Sequence, residues 1–388
     1  MKRAIVLPRH APAKRQRGAA FLVLALMVGI AATALIISAG TTANDKTRAA
    51  EKTAKALATA HEALIAFAVS VPDSARPGDL PCPATDYTTG TAAPPCSTSA
   101  SRLGYLPWKT LGLPDLRDGT GAPLLYAVSN NFKNNPRVSS PALNSDLTGE
   151  FTVNGENAIA IVFAPGSPLG TQNRNAVTFN RANFLELGNA DGNSSFENSA
   201  ESNTINDRLI WITPRAFFPP IEMRAMRVAK AQLEHYFSVT GRYPRSNRYL
   251  NDTVCWTTGG RLPYELPVAS GGPNPCLPGG NGATAGYWTQ GWPAWFFANY
   301  WDYVLHYAVA DACITNPGTP CDGVSGTYLR LNGTDGMKVL LIRQGIPNGQ
   351  SRPCTAPSQC LDDTENRDSD RDYVTPSAGN DKLTLIAP

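Results

Sequence analysis

The chain spells out none of the short sequences that announce an enzyme. No G-x-S-x-G elbow, H-E-x-x-H pair or Walker A loop occurs, which removes the commonest serine-hydrolase, zinc-peptidase and phosphate-loop chemistries. Histidine is scarce, with four residues at positions 10, 61, 235 and 306. Charged residues make up only 17%, and no RRM, helix-turn-helix or basic-aromatic stripe points to nucleic acid. The pI of 8.4 comes from the first seventeen residues, where Lys2, Arg3, Arg9, Lys14, Arg15 and Arg17 stand without an acid. No C-x-x-C is present either, so neither a zinc ribbon nor a thioredoxin-like site is written into the chain. Gly166-Ser167-Pro168-Leu169-Gly170 sets a serine among turn formers and reads as a turn. A tethered hydrolase is therefore the remotest of the readings carried forward.

What is present is cysteine in even number, with much glycine and proline. The chain of 388 residues holds 33 Gly, 32 Pro and 8 Cys, long enough for two domains with a core each. The cysteines fall into successive pairs, Cys82 and Cys96, Cys255 and Cys276, Cys313 and Cys321, Cys354 and Cys360. Local disulfides that staple loops in an oxidising compartment are the simplest expectation, although eight cysteines allow 105 connectivities.

Ala19 to Ala39 carries no charge. As a helix at about 1.5 Å per residue it matches the roughly 30 Å hydrocarbon core, and it exceeds the ~7–15 residues of a secretory h-region. Basic residues before it place the N-terminus in the cytoplasm by the positive-inside rule, so the expectation is a single-pass inner-membrane protein with the remainder periplasmic. From Asn44 to Val71 there is no Gly or Pro, and Leu57, His61, Leu64, Ala68 and Val71 recur at steps of four and three. That spacing predicts one amphipathic helix, stopped by Pro72 and continuous with the apolar run. His61 lies on the stripe and reads as a packed histidine.

A basic leader ending Lys14-Arg15-Gln16-Arg17-Gly18, then Ala19-Ala20-Phe21-Leu22-Val23 and a long helix, resembles a type IV prepilin or type II secretion pseudopilin. The resemblance implies cleavage by prepilin peptidase after Gly18, leaving Ala19 as an N-methylated first residue, and partners that are other pilins or pseudopilins. Most members of that family carry Glu at mature position five. Here the position is Val23, which by resemblance favours a minor, tip-type or initiating subunit. PGDLPCPA (77–84) and GYLPWKTLG (104–112) are similar to phrases in pseudopilin-like proteins, and TGRYP (240–244) is similar to the phrase that follows the pseudopilin helix.

The globular part repeats itself. Leu125-Tyr126-Ala127-Val128 returns as His306-Tyr307-Ala308-Val309, Ile159–Phe163 as Lys338–Ile342, and NDRLIWITP (206–214) as NDKLTLIAP (380–388), at separations of 181, 179 and 174 residues. Order and spacing together indicate two copies of one unit. A second helix is expected over 221–244 after Pro219-Pro220, with Val228, Ala229, Leu233, Tyr236 and Phe237 as its stripe and Gly241 at its end. His235 is off that stripe and reads as solvated.

Two acidic loops precede the final strand of each copy, ELGNADGNSSFE (186–197) and LDDTENRDSDRD (361–372). Asp191 and Asn193 in the first, and Asn366, Asp368, Asp370 and Asp372 in the second, alternate as oxygen ligands of calcium do. Plain solvated loops are the better account of them, since Arg367 and Arg371 stand among the carboxylates. No other cofactor is expected. The aromatic stretch 287–307, with Trp288, Trp292, Trp295 and Trp301, suggests either a core strand or a face for a sugar or partner.

The expected architecture is α+β. It comprises a leader (1–18), a transmembrane helix (19–39), its amphipathic extension (40–71) and two pseudopilin-like domains (72–214 and 215–388). Each domain is expected to be a helix on an antiparallel sheet with disulfide-stapled loops. The expected function is a non-enzymatic minor pilin or pseudopilin that enters a pilus or secretion filament. The alternative is an anchored extracytoplasmic adhesin or binding protein that never polymerises.

Overall fold

The computed structural model describes residues 17–133, 142–174, 179–249, 255–256, 259–263, 288, 290–314, 320–368 and 370–387, with side chains placed from Asn44 onward except at 255–256. It is an α+β protein. Helix α1 spans Arg17–Ser70. Its placed stripe of Ala56, Leu57, Ala60, Leu64 and Ala68 is buried, while Glu51, Lys52 and Lys55 remain exposed. Among the described residues no helix is long and apolar enough to cross a membrane. The expected transmembrane helix is therefore corrected: the placed part of α1 is too charged to span, and the side chains of Ala19–Ala39 lie outside the described ones.

The described residues of the first unit form seven strands: β1 (Leu103–Tyr105), β2 (Leu125–Val128), β3 (Phe151–Val153), β4 (Glu156–Ala158), β5 (Ala160–Ala164), β6 (Ser195–Phe196) and β7 (Arg208–Ile212). The main sheet has the order β1-β2-β5-β7, all antiparallel. A smaller sheet has the order β4-β3-β6, in which β6 runs parallel to β3. Side chains alternate across the main sheet as pleating requires. Tyr126, Val128, Ala160 and Val162 join the core under the helices; Leu125, Ala127, Ile161 and Phe163 join a second core on the opposite face. Burial on both faces is why β5 is apolar at every position.

Helix α2 (Pro214–Thr240) opens the second unit. It begins earlier than the expected 221–244, because Thr213 caps it and Pro214 fits the first turn, where no intrahelical N–H bond is lost. Pro219 and Pro220 thus lie inside the helix rather than before it. Gly241, at φ 67°, ends it in the left-handed conformation. Among the described residues nine strands follow: β8 (Ser246–Asn247), β9 (Cys255–Trp256), β10 (Gly260–Arg261), β11 (Leu305–Val309), β12 (Leu329–Leu331), β13 (Thr334–Met337), β14 (Val339–Arg343), β15 (Asp372–Tyr373) and β16 (Lys382–Ala387). They form the sheets β16-β14-β11-β10-β8-β9 and β13-β12-β15.

The two units share one connectivity. The run β1-β2-β5-β7 corresponds to β10-β11-β14-β16, and β4-β3-β6 to β13-β12-β15, again with one parallel pair. Registers agree as well: Leu125 faces Phe163 and His306 faces Ile342, while Leu209 faces Phe163 and Leu383 faces Ile342. Both small hairpins turn on Asn-Gly with positive φ, Asn154-Gly155 and Asn332-Gly333, the I′ geometry that suits strand twist. The parallel pairings depart from the expected purely antiparallel sheets.

One core runs through both units, from Leu57, Leu64 and Ala68 on α1 through Phe217, Ile221 and Ala225 on α2 to Leu341 on β14. Disulfides join Cys82 to Cys96, Cys313 to Cys321 and Cys354 to Cys360. The pairing of Cys255 with Cys276 lies outside the described residues.

Candidate functional site

The sequence-predicted residues do not converge on one centre. Gly18 and Ala19 lie in the backbone of α1, with their side chains outside the described ones. Among the described residues no group of three or more His, Cys, Asp or Glu is placed to hold a metal. The acidic loops instead use their oxygens on their own backbone. Asp191 Oδ1 accepts from the Asn193 amide at 2.9 Å, and Asn193 Oδ1 from the Ser195 amide at 2.7 Å. Asp368 accepts from the Asp370 amide and Asp370 from the Asp372 amide, while Asp372 pairs with Arg330 at 3.1 Å. Asn366 is buried, and its amide clasps Val374 through both N–H and C=O.

What the sequence reading missed is a polar knot built twice. In the first unit Arg174 donates to the carbonyl of Gly166 and, at 2.8 Å, to Gln172. Gln172 donates to Glu186 at 2.6 Å, and the other Glu186 oxygen accepts from the Asn206 amide. Asp207 Oδ2 accepts from the Glu186 amide at 3.0 Å and from Asn189 at 3.2 Å. Asn189 also clasps Glu197 as Asn366 clasps Val374.

In the second unit the roles pass to matching positions. Arg352 donates to the Gly345 carbonyl at 2.7 Å, and Gln350 donates to Asp362. Asp362 accepts from the Asn380 amide at 2.7 Å, and Asp381 accepts from the amides of Asp362 and Asp363. Asn206 and Asn380 each reach across to the residue after the glycine, Ser167 and Ile346. The signal in the sequence was Gly166…Gln172-x-Arg174 against Gly345…Gln350-x-Arg352, hidden because such residues in Gly- and Pro-rich loops look solvated.

Each knot contains a buried acid beside a carboxylate. Burial first, then the Glu186 charge, pushes Asp207 up to about 8; burial and the Asp362 charge push Asp381 up to about 6. In both residues Oδ1 is buried without a partner among the described residues, so a proton there removes what would be an uncompensated charge. These groups tie a loop to the last strand, with their acceptors spent on backbone amides.

The aromatic stretch does not continue as a strand. Trp295–Ala298 is one helical turn, and β11 starts only at Leu305. The Trp288, Trp295 and Trp301 rings are buried. Trp288 Nε1 donates to the Pro263 carbonyl at 2.8 Å, and Trp295 Nε1 to Asp73 at 3.2 Å. Those three tryptophans thus fill the core, the first of the two expectations, although not along a strand. Among the described residues Tyr300 is the large ring that stays outside, 54% exposed and at φ 56°. It lines a cleft of about 440 Å³ with Tyr303, Leu147, Asn144, Asp146 and Pro353. The walls are fixed: Asn144 donates to the Asn299 carbonyl at 3.0 Å, Arg352 pairs with Asp146 at 2.9 Å, and the Arg261 guanidinium stacks 3.7 Å over Tyr303.

Of the histidines, His235 is exposed and His61 half-buried. His306 is buried against Tyr249 at 2.7 Å, where burial pushes its imidazole down to about 3. It stays neutral and structural.

Comparison with protein-family models, with curated proteins and with solved structures finds no match to this chain.

Proposed function

We propose that this chain is a minor pilin- or pseudopilin-like subunit that acts by assembly, entering a type IV pilus or type II secretion filament at the tip or in initiation. The observation that carries this reading is the division of α1. Its C-terminal part is docked on the first unit through Leu57, Leu64 and Ala68, while the helix continues toward Arg17. The stretch from Asn44 to Arg48 is exposed, so the helix leaves the globular part there and runs on for about 30 residues, roughly 45 Å. Ala19–Ala39 has no charge, and a helix of that composition is satisfied by packing against other apolar helices. Three disulfides support an oxidising compartment. The doubled globular part is then what the filament displays. Calcium has a place in this reading only as an addition to loops that already satisfy their own carboxylates.

The exposed Tyr300 beside its cleft favours one other reading, an extracytoplasmic binding protein or adhesin that does not polymerise. N-terminal sequencing of the chain from cells with and without prepilin peptidase separates the two. A mature N-terminus at Ala19 that depends on the peptidase supports assembly. An unprocessed N-terminus in both strains overturns it.

A further inference from the structure

The duplicated units can be compared position by position, and one of their differences leaves a backbone donor open. In the first unit the Gly166 N–H donates to Asp118 Oδ2 at 2.9 Å. Asp118 is buried, and its other oxygen accepts from the amides of Thr120 and Ala122 and from the Thr120 hydroxyl. A carboxylate is thus built in over that glycine. Gly345 occupies the equivalent place in the second unit, since β5 and β14 keep the same register. Gly345 lines a small pocket of about 110 Å³, and its N–H has no partner among the described residues.

The rest of the lining has the charge to hold an anion. Arg215 on the first turn of α2, Arg343 at the end of β14 and Lys382 at the start of β16 all border the pocket. Arg343 is held in place through one nitrogen, which donates to Glu222 at 3.0 Å and to the Pro219 carbonyl at 3.2 Å. Its Nε and second terminal nitrogen have no partner among the described residues, and neither Arg215 nor Lys382 has one. Glu222 neutralises one of the three cations, so two remain. The first unit offers Ala164 where Arg343 stands, as expected where the anion is internal. A pocket this small lies below the roughly 300 Å³ of ordinary small-molecule sites.

We propose that this pocket binds a carboxylate, seated over Gly345 as Asp118 is seated over Gly166, with Arg215, Arg343 and Lys382 supplying charge-assisted hydrogen bonds. The carboxylate comes either from an acidic side chain of another polypeptide or from a free organic acid. The test is a titration of ¹⁵N-labelled full-length chain, following the Gly345 amide resonance. The probes are N-acetyl-aspartate amide, a peptide covering Leu116–Ala122, that peptide with Asp118→Asn, and inorganic phosphate. A saturable shift with the Asp-containing peptide alone assigns a polypeptide source; saturation by N-acetyl-aspartate amide, with or without the peptide, assigns a free acid as sufficient. In either case the double variant Arg215→Gln/Lys382→Gln should bind about tenfold more weakly with unchanged thermal stability, because both side chains lack partners in the fold. Loss of the site is equally clear. No saturable shift with either carboxylate, equal binding by the Asp118→Asn peptide, saturation by phosphate alone, or unchanged affinity in the double variant each overturns the assignment.

Discussion

Two residues show how differently a single side chain can be tied into this fold. Asp118 answers four donors at once, three within its own turn and one from Gly166. Asp118→Ala removes the shared acceptor of these part-buried donors, and should cost about 2 kcal/mol in denaturant unfolding. Tyr300 is the opposite case. It follows the turn Trp295–Ala298 at φ 56°, where glycine carries no Cβ penalty, and over half its surface faces solvent. Tyr300→Gly should therefore leave stability unchanged or raise it, by up to about 1 kcal/mol. A loss larger than that would show that the ring supports the fold instead of furnishing the cleft.

At the scale of elements, caps and knots hold the pieces that hydrophobic pattern places. Thr213 Oγ1 accepts from the Ala216 amide at 3.2 Å, so Thr213→Ala should lower the unfolding free energy by about 1 kcal/mol. The knots add a pH dependence with a definite sign. Asp207 has a folded pKa of about 8 against an ordinary 3.8, so folding takes up a proton. Its contribution is complete below about 3.8 and is lost as pH rises through about 8. The melting temperature should fall between pH 6 and pH 9, and Asp207→Asn, which keeps a donor toward Glu186, should flatten that slope. A slope equal to the parent's would place the titrating group elsewhere. The sequence was legible where burial alone decides: Leu125–Val128 and Leu305–Val309 lie on β2 and β11 because apolar runs of that length have no other outlet. It was illegible where a distant partner decides. Trp295 is turned inward by Asp73, more than two hundred residues away, and no alternation in 287–307 records that. The knots were missed for the same reason, since Arg174 and Arg352 find carbonyls that only the folded loops present. At the N-terminus, the apolar run led to a membrane span, whereas the placed part of α1 carries Glu51, Lys52 and Lys55 outward and spends its apolar stripe on the first unit.

For the whole molecule, the doubling of the unit does not make two independent bodies. Arg224 on α2 donates to the carbonyls of Val69 and Val71 at 2.6 Å and pairs with Asp73. Asn299 accepts from the Leu143 amide at 2.9 Å, and Arg352 reaches Asp146. These contacts surround a core in which Phe132 of the first unit meets Phe217 and Phe218 of α2, with ring centroids 5.6 and 6.0 Å apart. Separating the units would expose those rings together with the apolar faces of both helices, and area exposed at about 25 cal/mol per Å² makes such an intermediate costly. Calorimetric unfolding should then give one transition, with calorimetric and van't Hoff enthalpies equal within error. Phe217→Ala, at the seam, should lower the melting temperature of the whole molecule, at a cost of about 3 kcal/mol, without splitting the peak. Two resolved transitions in the parent, or a variant that destabilises only one of them, would mean that the repeats unfold separately and that the shared core does not couple them.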